Sequence, residues 1–265
     1  MLLLAGCAAG PTGKPAQTTA AQQVLKAYHV PDLLAQAAPA VSRSLDKNLP
    51  DTVSTSDRQR LSRVVSEAFE PQALQQDIVE RLRERAAESN HEKELASAAD
   101  KLSSPLATRM IGLESVAGNE NFAQGFNSFV NQTATDARKR RLRLIDGLVA
   151  DMQVVELQTN YNVILLQSMI RGRNAAVSEQ NRVDDAQVER MISNTRQGIR
   201  DKLQEQVPLM LLYIYRNVDD ADLQQYADLQ AKPDMLWTND ALVQAITETL
   251  RAAGNDIPEQ FNSTL

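Results

Sequence analysis

Apolar residues return every three or four positions along most of the chain, and that spacing predicts helices. Val24-Leu25, Tyr28 and Leu33-Leu34 suggest a first helix interrupted at Pro31 and a second from Asp32 to about Lys47. Ser54-Thr55-Ser56-Asp57 reads as a polar cap ahead of Leu61, Val64-Val65 and Ala68. Pro71 then separates Phe69 from a helix carrying Ile78-Val79, Leu82 and Ala86. Ser89-Asn90-His91-Glu92 has the capping-box pattern, in which the Ser side chain takes one backbone N–H and the Glu reaches back to another. It would start a short helix whose Leu95, Ala98, Ala99 and Leu102 form one apolar stripe. Pro105 lacks an amide hydrogen and disfavours α geometry at Ser104, so that helix should stop there.

The stretch from Lys93 to Pro105 is answered by Ala221 to Pro233. Glu94-Leu95 and Asp222-Leu223, Asp100 and Asp228, and Pro105 and Pro233 all stand 128 positions apart. The preceding helix keeps the offset, with Val79 and Val207, Leu82 and Met210, and Ala86 and Ile214 in register. Asn217 to Asp220 stands where Ser89 to Glu92 stands, and Pro208 should kink the second copy or mark its first turn. Between the copies, Asn119 to Met169 contains no proline. Phe122, Phe126 and Phe129, followed by Leu144, Leu148, Met152 and Val155, predict a long helix or two in succession.

The expected fold class is therefore all-α: two related helical-hairpin subdomains joined by a long central helix. Residues 21–118 are the first repeat, and 119–265 are the linking helix and second repeat. Composition agrees, with 10 Gly, 10 Pro and 4% aromatic residues against 43% hydrophobic content. The abundant straight-chain residues lose little rotamer freedom in helices, and the chain is long enough to bury a core. Net charge −6 argues against nucleic acid as a partner, because phosphate neutralisation needs a basic face. The one basic cluster, Arg138-Lys139-Arg140-Arg141-Leu142-Arg143, reads as a solvated helix face, with anionic headgroups as the alternative. No run of about 18 apolar residues would cross a membrane.

Leu3-Leu4-Ala5-Gly6-Cys7 resembles the bacterial lipobox, in which small residues let a peptidase reach the backbone and the Cys thiol takes a lipid. Residues 1–6 are then a truncated lipoprotein signal without the basic leader. Residues 7–20, with Pro11 and Pro15 in a polar stretch, are a flexible tether. Ala8 after the Cys, rather than Asp, implies the outer membrane under the enterobacterial sorting rule. The expected localisation is the periplasmic face of a bacterial envelope, lipid-anchored through Cys7.

Asp222-Leu223, Tyr226 and Lys232-Pro233, and more weakly Glu94-Leu95 and Ser104-Pro105, resemble an uncharacterised bacterial domain-of-unknown-function family of small periplasmic all-helical proteins. The likeness covers the last third of each half. It brings no catalytic residues with it.

Chemistry-bearing motifs are few. His29 and His91 are the only histidines, and neither lies near Cys7 or the other, so no zinc spacing exists and neither metal nor cofactor is expected. No Gly-x-Ser-x-Gly stretch occurs. Asp184-Asp185 and Asp219-Asp220 lie in polar, capping segments rather than in the apolar surroundings that raise a carboxyl pKa for acid–base work. The copies differ most in aromatics: Tyr213, Tyr215, Tyr226 and Trp237 replace Arg85, Ala87, Ala98 and Arg109. These four either pack the second core or line a groove for an envelope protein or peptide. The expected function is non-catalytic binding or scaffolding of a periplasmic or outer-membrane partner. The alternatives are an envelope hydrolase without a recognisable motif and a carrier of an apolar ligand.

Overall fold

A computed structural model describes residues 18–114, 120–131 and 135–263. It is all-α, with no strand among these residues. The helices are α1 (Ala20–Ala27), α2 (Val30–Ala35), α3 (Ala37–Asn48), α4 (Thr55–Ala68), α5 (Pro71–Glu88), α6 (Glu92–Leu102), α7 (Pro105–Glu114), α8 (Glu120–Val130), α9 (Asp136–Asp151), α10 (Val154–Ala176), α11 (Asp185–Ile214), α12 (Asp220–Gln230) and α13 (Pro233–Ser263). Cys7 and the truncated signal lie outside the described residues, as does all of the tether but its last three positions.

Local chemistry explains most boundaries. Ser54 caps α4 by accepting from the Asp57 N–H at 3.1 Å. Pro71 and Pro105 open their helices, where a missing N–H costs nothing, and the Ser104 hydroxyl accepts from the Ala107 N–H at 3.3 Å. The expected interruption at Pro31 falls instead at His29, which is left-handed at φ 52° and leaves Pro31 in the first turn of α2.

The expected capping box at Ser89 is not formed. Ser89 ends α5 and its hydroxyl donates to the Arg85 carbonyl, Asn90 turns left-handed at φ 58°, and the His91 N–H donates to the Ala86 carbonyl at 2.7 Å. This is a Schellman closure of α5, with Asn in the position that tolerates the left-handed region. Nor is there a single long central helix. The described residues between 120 and 169 form α8, α9 and most of α10, and α9 and α10 are separated by Gln153 at φ 53°.

Element boundaries repeat along the chain. Shifting α6 by 128 positions reproduces the limits of α12, and Pro105 maps onto Pro233 at the start of α13. At an offset of 124, the left-handed His29 falls on the left-handed Gln153, and the first residue of α2 falls on the first residue of α10. Buried Ala21, Val24 and Leu25 of α1 then fall on buried Ile145, Leu148 and Val149 of α9. The two hairpins pack reciprocally, α6 against α13 and α12 against α7. The main core runs through both halves, from Ala21 to Phe261, and a smaller cluster of Val163, Ile170 and Ile192 lies between α10 and α11. The centre of the main core is the pair α10 and α13, where Gly254 packs onto Ser168.

Candidate functional site

A cleft of about 500 Å³ with an apolar lining opens at the corner where α7 meets α8, the end of α11 and the start of α12. Leu113 and Arg109 come from α7, Phe122 from α8, Tyr213 from α11, and Arg216, Val218, Asp219 and Asp222 from the turn and first residues of α12. Tyr213 is its aromatic centre. The Phe122, Phe126 and Phe129 rings stand 5.1, 5.9 and 5.3 Å from it, the first two edge-on, and the Arg216 guanidinium lies over its face at 4.1 Å. Gly125 permits this approach, because a Cβ there would overlap the Tyr213 hydroxyl. At the rim, Arg109 pairs with Asp222 at 2.6 Å.

The basic cluster is not uniformly a solvated face. Lys139, Arg140 and Arg143 are exposed, but Arg141 turns inward and donates to the Tyr215 and Val218 carbonyls at 2.5 and 2.6 Å while pairing with Asp220. It thereby fixes the α11–α12 turn that forms one side of the cleft. Asp184 caps α11 by accepting from the Gln187 N–H at 2.8 Å, and Asp219 is the N-cap residue of α12, as their sequence context suggested.

Behind the cleft wall lies a polar network. The Glu114 carboxylate at the end of α7 accepts from the Tyr215 hydroxyl and, at 3.4 Å, from Tyr226. The Tyr226 hydroxyl in turn accepts from the Gln230 amide at 3.2 Å. Tyr28 donates to the Asn239 and Gln230 side-chain oxygens at 2.8 and 3.1 Å, and Asn239 donates to the Asp151 carbonyl at 3.0 Å. Burial pushes the Glu114 carboxyl up to about 7 against the opposing effect of the two tyrosine hydroxyls. Burial and the Glu114 charge in turn hold both tyrosines far above their ordinary range, so they remain donors.

The four aromatics singled out in the sequence do not line one groove. Tyr213 lines the cleft, Tyr215 and Tyr226 are fully buried behind it, and Trp237 stacks on His91 at 4.8 Å, outside the cleft lining. Sequence reasoning missed Glu114, although Ala107, Met110, Ile111 and Glu114 follow the i, i+3, i+4, i+7 spacing that places a carboxyl on the buried face of α7. Among the described residues, no group of three or more His, Cys, Asp or Glu side chains could hold a metal ion, and no helix is long and apolar enough to cross a membrane. Comparisons with family models, curated proteins and solved structures return no match.

Proposed function

We propose that this chain is a non-catalytic lipoprotein of the bacterial envelope, tethered through Cys7, that holds a segment of a periplasmic or outer-membrane protein in the α7–α8–α11–α12 cleft. The observation that carries the reading is the cleft's lining. An apolar and aromatic floor of Leu113, Phe122 and Tyr213 is rimmed by Arg109, Arg216, Asp219 and Asp222. An apolar side chain of the partner would sit against the floor, and rim charges of both signs would orient the polar backbone around it. The tether would restrict the search to the membrane surface, and stable anchoring needs two acyl signals. The recurring boundaries and reciprocal packing further support an origin by internal duplication.

The raised carboxyl of Glu114 favours acid–base chemistry, since perturbed carboxyls gather at active sites. Glu114 is not among the cleft-lining residues, and its carboxylate is already occupied by two tyrosine hydroxyls. Binding is therefore the better-supported reading. The test places a photo-crosslinking amino acid at Leu113 or Phe122 in the full chain in bacteria. Recovery of one envelope protein from both positions, and not from exposed Arg182, supports the reading, whereas equal capture at all three removes it. Appearance of a Cys7→Ser form in the soluble fraction supports the tether. Equal membrane retention counts against it.

A further inference from the structure

Glu114, Tyr215, Tyr226, Gln230 and Asn239 tie the end of α7 to α11, α12 and α13 through side chains that are half-buried to buried. The matching corner, where α13 meets α6, carries an apolar residue at each of these five positions, although Ala87, opposite Tyr215, is exposed. Positions 128 away from Tyr226, Gln230, Asn239 and Glu114 are Ala98, Leu102, Ile111 and Leu242, and all four are buried. The architecture therefore does not require a carboxyl at this place. No ion pair among the described residues involves Glu114.

Charged groups on the elements packed on α7 form pairs that leave Glu114 out, and the tyrosines around it stay protonated. Arg109 of α7 holds Asp222 of α12, and Lys101 of α6 holds Asp234. Arg216 after α11 lies on the Tyr213 ring, Arg141 binds Asp220 and the α11–α12 turn, and Tyr215, Tyr226 and Tyr28 act as hydroxyl donors. Among the described residues, two tyrosine hydroxyls answer the carboxylate, and burial opposes its charge.

The geometry points to a proton-operated latch: a proton on Glu114 keeps the last turn of α7 seated on the α11–α12 hairpin, and its loss frees that turn and with it one wall of the cleft. Opening lets the carboxylate reach water, so the open form is favoured as pH rises. Arg109 and Leu113 line the cleft from this same helix, so the latch would set whether the cleft keeps its shape. That last consequence rests on the cleft reading above; the latch itself does not.

Amide hydrogen exchange of the full chain, read without any partner at pH 6 and pH 8 and corrected for intrinsic exchange, tests the latch directly. With the carboxyl at about 7 when seated and at its ordinary 4.5 when open, the opening constant of the last α7 turn rises about tenfold over that interval. Protection of residues 111–114 should fall by that factor in the wild type, and stay level in Glu114→Gln and in Glu114→Leu, which carries the residue of the matching corner. Unchanged wild-type protection between the two pH values would overturn the latch. So would an equal fall in the Gln variant, which would trace the pH effect to another group. If exchange follows the latch while crosslinking at Leu113 captures nothing, the cleft reading fails and the latch stands.

Discussion

Replacing Gly254 with Ala tests the packing on which the whole molecule is centred. A Cβ at this position of α13 would overlap the Ser168 hydroxyl of α10 and stand 3.3 Å from the Ser168 Cβ and 3.8 Å from the Phe69 ring. Ser168 cannot simply turn away. It is fully buried, its hydroxyl donates to the Ile164 carbonyl at 2.8 Å, and its own Cβ is already close. Relief requires the two helices to separate by a few tenths of an ångström along a seam between long elements. Overpacking of this kind costs ~2–3 kcal/mol, and the better helix propensity of Ala returns about 1 kcal/mol. The expected net loss is about 1–2 kcal/mol, read as a lower urea midpoint at unchanged slope. Ser168→Ala alone should lie within about 0.5 kcal/mol of wild type, because the Ile164 carbonyl keeps its helical partner. Combined with Gly254→Ala it removes the overlapping atom, so a double-mutant cycle should give a favourable coupling of at least ~1 kcal/mol. If Gly254→Ala stabilises the protein by its full propensity gain, or the two changes simply add, α10 and α13 do not meet as described.

Three further outcomes follow from particular side chains. The carboxyl of Glu114 is raised in the folded chain, so its contribution to stability is full below about 4.5 and is lost as pH rises through about 7. The difference in urea stability between wild type and Glu114→Gln should shift against the wild type by no more than about 3 kcal/mol from pH 4.5 to 8, and a shift of opposite sign refutes the burial. Arg141→Met leaves the Val218 carbonyl and Asp220 without their donor and removes one of two donors from the Tyr215 carbonyl, and should cost ~2 kcal/mol in a thermal melt, whereas Arg140→Met in the same cluster should stay within about 0.5 kcal/mol. Trp237→Ala removes the stack on His91 and should cost about 2 kcal/mol while leaving crosslinking from Leu113 intact, since Trp237 is no part of the cleft lining.

The sequence was most legible where one local cause acts alone. Ser54 caps a helix, Pro71, Pro105 and Pro233 open helices, and Leu95, Ala98, Ala99 and Leu102 are all buried as their spacing implied. It was least legible where two local solutions use the same residues. Ser89 and Asn90 can start a helix or finish one, and the left-handed turn at Asn90 with its bond back to Ala86 prevailed. Gln153 breaks α9 from α10 with no Gly, Pro or Asn to announce it. The site was legible only in part. Tyr213 stood out as an aromatic, but Arg109, Asp222 and Phe122 meet it only through tertiary packing, and no spacing within one helix could join them.

The aromatic asymmetry belongs to a wider difference between two corners of the fold. Tyr215 and Tyr226 are core residues, but the core they serve is unlike its counterpart, because they arrive with a carboxyl, a Gln and an Asn whose matching positions are apolar. A buried polar group is costly unless each partner is in place, and replacing a whole set by hydrocarbon of the same shape is often neutral or stabilising. Packing alone therefore gives no reason to prefer the polar version, when Leu242 and Ala98 fill the same role in the same chain. The polar version differs in its response: it fixes which hydroxyl meets which oxygen, and it makes the seating of α7 depend on a proton. The cleft opens at this corner, and Arg109 and Leu113 on α7 belong to its lining. The α7–α12 corner, which departs from its α13–α6 counterpart, is thus the one that borders the cleft, where a demand other than packing would act.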